Sequence, residues 1–63
     1  MFDSADVDSY IAYILYHSGQ KDEAFPYINS AIDGKSNILF DLFGAKYDTS
    51  VTAEIFFDHL NKI

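Results

Sequence analysis

Apolar residues fall along this chain in four groups set apart by polar stretches. The first, residues 10–17, reads Y-I-A-Y-I-L-Y-H. As a strand it puts Tyr10, Ala12, Ile14 and Tyr16 on one face and Ile11, Tyr13, Leu15 and His17 on the other, with the aromatic and β-branched content strands favour. As a helix it offers a stripe of Ile11, Ile14, Leu15 and Ser18. Periodicity alone does not decide a run this apolar. Residues 18–23, S-G-Q-K-D-E, form a turn in which Gly19 supplies positive φ. The second group, residues 25–32, contains Pro26. Proline is barred from the middle of a central strand but allowed at an edge or a strand's first residues. It is also tolerated at the end of the first turn of a helix starting near Asp22. Asp33-Gly34 ends the element either way.

Residues 37–44, N-I-L-F-D-L-F-G, give the clearest helix. Ser36 or Asn37 caps it, Ile38, Leu39, Leu42 and Phe43 fall at helical spacing, and Gly44 suits the left-handed residue that stops it. At about two turns it depends on tertiary packing. It is apolar on more than one side. Ile38 and Leu42 are expected to close the chain's own core, and Leu39 and Phe43 to serve a partner. The last group, residues 50–63, again reads two ways. Ala53, Phe56, Phe57, Leu60 and Ile63 form a helical stripe, whereas the β-branched and aromatic content of residues 51–57 favours a strand. Residues 1–9, with Asp3, Asp6 and Asp8, read as a loose acidic arm, although residues 6–9 suit the start of a helix.

Sixty-three residues allow one domain. A chain of that size buries only about 60% of its unfolded surface and needs a staple, a metal or a partner. There is no cysteine, so disulfides and the common zinc patterns are out, and oligomerisation is left open. Ten acids against four lysines give a net charge of −6 with no arginine, which argues against nucleic-acid binding and suits a basic partner. The N-terminus lacks the pattern of a signal peptide, and no apolar run reaches the roughly 18–20 residues of a membrane span. The chain is therefore expected in the cytoplasm, away from membranes.

Gly34-Lys35-Ser36 looks like the end of a phosphate loop, but Asn29 stands where that loop needs glycine, so it reads as a turn. Asp58-His59 and His17 lack the nucleophile, oriented base and oxyanion donors that catalysis requires. No catalytic residue, metal site or cofactor is expected, and the chain does not read as an enzyme. The Asp3, Asp6, Asp8 run does not continue as a calcium loop. Asp22, Glu23, Asp33, Asp41, Asp48, Glu54 and Asp58, interleaved with Phe and Tyr, are spaced so that neighbouring carboxylates on a helix or sheet imitate a row of phosphates.

Two resemblances add to this reading. Residues 16–37 resemble one tetratricopeptide unit, with Gly19, Ala24, Tyr27 and Ala31 where that repeat takes small or aromatic residues. Pro26 and Gly34-Lys35 depart from it, and about three such units are needed for a stable stack. The resemblance implies an all-helical adaptor built on an αα-hairpin. Nearly the whole chain also resembles the small uracil-DNA glycosylase inhibitors of podoviruses that infect Bacillus. The matching pieces are Val7-Asp8-Ser9-Tyr10, the glycine-containing turn at 18–23, Leu42-Phe43-Gly44, and Thr52-Ala53-Glu54-Ile55 leading to Leu60 and Lys62-Ile63. It departs in a longer second strand, in Pro26 and in the link after Gly44.

The second resemblance implies a homodimeric α+β fold, with a β-hairpin over 10–32, a helix over 36–44 and a C-terminal strand over 50–63. Three antiparallel strands and one helix would then make up the protomer. It also implies a DNA mimic whose partner is the host's uracil-DNA glycosylase, met in the host cytoplasm. A pocket at the dimer interface would take up the enzyme's protruding apolar side chain. Phe43 matches the family's aromatic before glycine, Leu39 matches a helix aromatic, and the family's helix acid falls at Phe40 with Asp41 beside it. Tyr27 and Glu23 complete the expected partner surface.

Overall fold

In the computed structural model, which describes residues 4–48 and 50–62, the regular structure is entirely helical. Helix α1 spans Ser4–His17, α2 Lys21–Asp33, α3 Asn37–Leu42 and α4 Ala53–Asn61. The expected three-stranded sheet is not there: the described residues contain no strand. Residues 10–32 are an αα-hairpin, and residues 53–61 are a helix rather than a strand. The acidic arm is also corrected, because α1 already begins at Ser4. Asp3 and Ile63 lie outside the described residues.

Small residues decide between helix and strand. Ala5, Ser9 and Ala12 are spaced by four and three along α1, and Ala24, Ile28 and Ala31 repeat that spacing on α2. All six are buried. Residues at these intervals line one helix face, whereas in a strand Ala5 and Ala12 would point to opposite sides. The two helices make the most extensive contact in the protein. The seam on α1 is therefore not the Ile11, Ile14, Leu15, Ser18 stripe; Ile14 and Ser18 are exposed. Pro26 sits early in α2 at an exposed position, and the carbonyl deprived of its helical donor belongs to Asp22, itself an exposed residue.

Helices α1, α2 and α3 end by one local device. After α1, Gln20 N–H donates to the Leu15 carbonyl (3.0 Å) and Gly19 N–H to that of Tyr16 (3.4 Å). After α3, Ala45 N–H donates to Phe40 (2.8 Å) and Gly44 N–H to Asp41 (3.2 Å). Both closures need a left-handed residue, and Gly19 (φ 83°) and Gly44 (φ 70°) provide it. The stop expected at Gly44 is thus present. After α2 the same pair of bonds runs from Ser36 to Ala31 and from Lys35 to Ile32, each 2.9 Å. Here the left-handed residue is Lys35, at φ 57°. Gly34, one place earlier, has an ordinary φ of −83°. A Cβ at Gly34 would lie 2.5 Å from the Ala5 Cβ, so this glycine serves close approach of α2 to α1.

The hairpin's far end is tied by hydroxyls. Ser9 Oγ donates to Ser36 Oγ (2.9 Å), and Ser36 Oγ donates to Asp6 Oδ1 (2.9 Å). The Ala5 carbonyl is a further acceptor 2.8 Å from Ser9 Oγ. Ser36 occupies the N-cap position of α3, yet its side chain makes no capping bond; its single proton goes to Asp6. At α4 Thr52 Oγ1 does cap, accepting from Ile55 N–H at 3.3 Å.

The core proper runs from this seam into α3 and α4: Ile28, Leu39, Phe40, Phe56 and Leu60 are buried together. A chain of ring contacts ties the four helices. Phe25 of α2 meets Phe57 of α4 at 5.3 Å, Phe57 meets Tyr16 of α1 at 6.4 Å, and Tyr16 meets Phe43 at 5.5 Å. Phe43 meets Phe56 at 5.7 Å, which meets Phe40 of α3 at 5.0 Å. Each such pair contributes about 0.5–1.5 kcal/mol beyond the area it buries.

Two substitutions one residue apart separate the roles of space and backbone. Gly34→Ala is expected to lower unfolding free energy by about 1–3 kcal/mol, because a methyl is forced into the seam. Lys35→Gly is expected to raise it by about 0.5–1 kcal/mol, since relief of the left-handed strain exceeds the added freedom of the unfolded chain. Urea denaturation of both variants checks this; a neutral Gly34→Ala would mean that α1 and α2 are not in tight contact there.

Candidate functional site

The six residues expected to face a partner do not form one surface. Leu39 and Phe40 are buried and cannot meet another molecule. Asp41 is exposed on α3. Glu23 and Tyr27, four apart, share an outward face of α2. Phe43 is half-buried just past the end of α3. The assignment within α3 is thereby altered: Leu39 closes the core, while Ile38 and Leu42 are only half-buried.

Phe43 is the centre of an aromatic cluster. The rings of Tyr13 and Tyr16 stand edge-on to it at 5.5 Å each, and His17 stacks on it at 6.1 Å with the planes 17° apart. Tyr13 and His17, four apart on α1, are themselves in contact at 4.4 Å. Lys21 Nζ lies 5.2 Å from the centre of the Tyr16 ring, a cation–π geometry. Tyr16 Oη also donates to Asn61 Oδ1 at 3.4 Å. Tyr13, Tyr16, His17, Leu42, Phe43 and Leu60 line an open groove of ≈ 480 Å³.

Beside the groove, α1 carries further exposed apolar side chains. Successive helix residues are turned by about 100°, so Tyr13, His17, Tyr10, Ile14, Val7 and Ile11 follow one another around the helix. Val7, Tyr10 and Ile14 are 43%, 45% and 62% exposed. Their spacing of three and four residues makes one stripe along the side of α1 opposite its buried alanines. Among the described residues of α1, the acids are Asp6 and Asp8, both half-buried and off this stripe. Asp6 is engaged by Ser36. The outward side of α1 is thus apolar although the chain as a whole carries a net charge of −6. A surface helix normally puts charge there.

Reading the sequence missed this stripe. Its signal was available: residues 10–16 are apolar at every angle, so one helix face has to be left over once the seam is buried.

A second concavity, of ≈ 650 Å³, lies between residues 44–48, Val51 and α4. Lys46, Asp48 and His59 supply its polar lining. Asp48 accepts from Ser50 Oγ at 2.7 Å and from Ser50 N–H at 2.9 Å, and these two bonds hold its carboxyl below the ordinary 3.8. Since the folded value is the lower one, what they contribute is present at neutral pH and fades as pH falls through that lowered value. Asp58 pairs with Lys62 at 3.0 Å, on an exposed part of α4. Among the described residues no three His, Cys, Asp or Glu side chains are placed to hold a metal ion. Among the same residues no helix is long and apolar enough to cross a membrane.

Comparison with known proteins finds no matching family model, no matching curated protein and no matching solved structure. The class the fold defines is a small four-helix globule built on an αα-hairpin.

Phe43→Ala is expected to cost about 2–3 kcal/mol, below the range for a fully buried phenylalanine because the ring is half exposed. Thermal unfolding followed by near-ultraviolet circular dichroism reads it, and the tyrosine signal should weaken with it. A variant as stable as the parent would detach Phe43 from the fold and return it to the partner surface.

Proposed function

We propose that this chain is a small helical protein–protein interaction module whose contact face is the outward side of α1. The observation that carries the reading is the exposed stripe of Val7, Tyr10 and Ile14. It lies beside the Phe43 groove on a chain otherwise rich in exposed acids. Contiguous apolar surface on a small protein marks contact sites, and Tyr is favoured in them because it offers large area with few rotatable bonds. The αα-hairpin supplies a rigid base for such a face, since its inner seam is closed by small side chains independently of what the outer face does.

A second reading is the DNA-mimicking inhibitor of uracil-DNA glycosylase. One observation favours it: Asp22, Glu23, Asp33, Asp41, Asp48, Glu54 and Asp58 are all exposed. It lacks the α+β frame that the resemblance implied, and Leu39 and Phe40 are occupied by the core. Uracil excision in the presence of excess purified protein separates the two, and we expect excision to proceed undiminished. Strong inhibition would favour the second reading.

The contact face is tested by Ile14→Glu. On a face spare to the fold, this change alters unfolding free energy by no more than about 0.5 kcal/mol. A loss of several kcal/mol would mean that Ile14 is needed within the chain's own fold and would sink the proposal.

A further inference from the structure

We propose that Asp33-Gly34 is a site of spontaneous backbone rearrangement to isoaspartate, and that the closure joining α2 to Ser36 controls its rate. Asp33 is the only aspartate of the chain followed by glycine. At every other aspartate the Cβ of the next residue hinders the approach of that residue's amide nitrogen to the carboxyl carbon. Packing is what places glycine here. A Cβ at Gly34 would lie 2.5 Å from the Ala5 Cβ, so the seam between α1 and α2 excludes the side chain that would slow the reaction. Asp33 and Gly34 are both exposed, open to water and to solvent base.

The chemistry needs only water. The Gly34 amide nitrogen gives up its proton to solvent base and bonds to Asp33 Cγ, whose hydroxyl leaves as water. The product is a five-membered succinimide. Water then adds to one of the two ring carbonyl carbons. Addition at the former main-chain carbonyl frees an α-carboxylate and leaves Gly34 attached through Cγ. One water leaves and one returns, so the net change is an isomerisation with no oxidant, reductant or cofactor.

The fold holds the reacting atoms in the wrong arrangement. Asp33 ends α2 in the helical conformation, with ψ about −42°, and ring closure requires the Gly34 nitrogen to swing out of that position. Gly34 N–H is donated to the Ser30 carbonyl at 3.0 Å, and Lys35 N–H and Ser36 N–H to Ile32 and Ala31 at 2.9 Å each. Ser36 is buried, and its hydroxyl is held by Ser9 and Asp6 of α1. Rotation at Asp33 therefore has to open this end of α2 and withdraw Ser36 from α1. Slow chemistry that proceeds only from an open form follows the population of that form. The rearranged chain has an extra atom between the Asp33 Cα and the Gly34 nitrogen, so Ser36 cannot return to its place in the closure. Each opening thus carries a small chance of releasing Ser36 from α1 for good.

The test incubates the whole chain at neutral pH, folded and in concentrated urea. Peptide mass spectrometry with electron-transfer fragmentation then distinguishes isoaspartate from aspartate at each position. In urea, isoaspartate is expected to build up at position 33 faster than at any other aspartate. In the folded chain it should build up at least about tenfold more slowly. Asp33→Glu, whose ring would need a sixth member, should remain unchanged there. Ser36→Ala should raise the folded-to-urea rate ratio, and Lys35→Gly, which relieves the left-handed strain in the closure, should lower it. No excess at Asp33 in urea would overturn the site. Equal rates folded and in urea, or a ratio that neither variant moves, would overturn control by the closure. If circular dichroism shows Ser36→Ala unfolded, the ratio for Lys35→Gly decides alone.

Discussion

The close approach of α1 and α2 is the constraint from which the remaining structure follows. Ala5, Ser9 and Ala12 on one side and Ala24, Ile28 and Ala31 on the other leave little side-chain bulk in the seam, and Gly34 removes the last Cβ where Ala5 comes nearest. Backbones brought together by small residues gain dispersion contacts over a long line, but they bury little apolar area per residue. The larger side chains of α1 are consequently excluded from the seam and pushed to its flanks and outer side. On one flank Tyr13, Tyr16 and His17 find Phe43. On the outer side Val7, Tyr10 and Ile14 find nothing larger than solvent within the chain.

The short helices are held by what the seam displaces. α3 has too few turns to persist alone; it is fixed at its start by Ser36 and at its end by the rings around Phe43. α4 is docked through Phe56 and Leu60, which are buried, and Phe57, which bridges Phe25 and Tyr16. The aromatic content, which in the sequence suggested strands or an interface, is mostly spent on joining four helices whose inner contact is thin.

How much of this was legible follows from the range of the forces involved. Local turn chemistry was readable: Gly19, Asp33-Gly34 and Gly44 each mark a true boundary. Gly34 is a boundary for a different reason from the one its position suggests, because its need is set by Ala5, twenty-nine residues away. The fold class was misread where composition was weighed against periodicity. Tyr, Ile and Val argue for strands only as surfaces to be packed, and here the packing partner was a second helix presenting alanines. The site was misread in an instructive way. Surplus apolar surface is expected on residues 37–44. There Leu39 and Phe40 are consumed by the core, while α1 carries the real surplus.

The rotation of α1 about its axis is set first by the small residues of its seam, and its polar groups act in the same sense. Ser9 is the one buried residue of α1 carrying a hydroxyl among the described positions, and it fits the seam because it is nearly as small as alanine. Its hydroxyl has two acceptors, the Ala5 carbonyl at 2.8 Å and Ser36 Oγ at 2.9 Å, and Ser36 Oγ in turn donates to Asp6, so the contacts return to α1 one turn earlier. Turning α1 by a single residue position would break the bonds that link Ser9, Ser36 and Asp6; Ser9 keeps the Ala5 carbonyl of its own helix, but the buried Ser36 hydroxyl loses both partners, at a cost of about 1–3 kcal/mol. The orientation that leaves Val7, Tyr10 and Ile14 outward is therefore favoured by the small residues of the seam and by the hydroxyl contacts at Ser36 together. The Schellman-like closure that delivers Ser36 to these contacts, with Lys35 held left-handed, ties the end of α2 to that orientation.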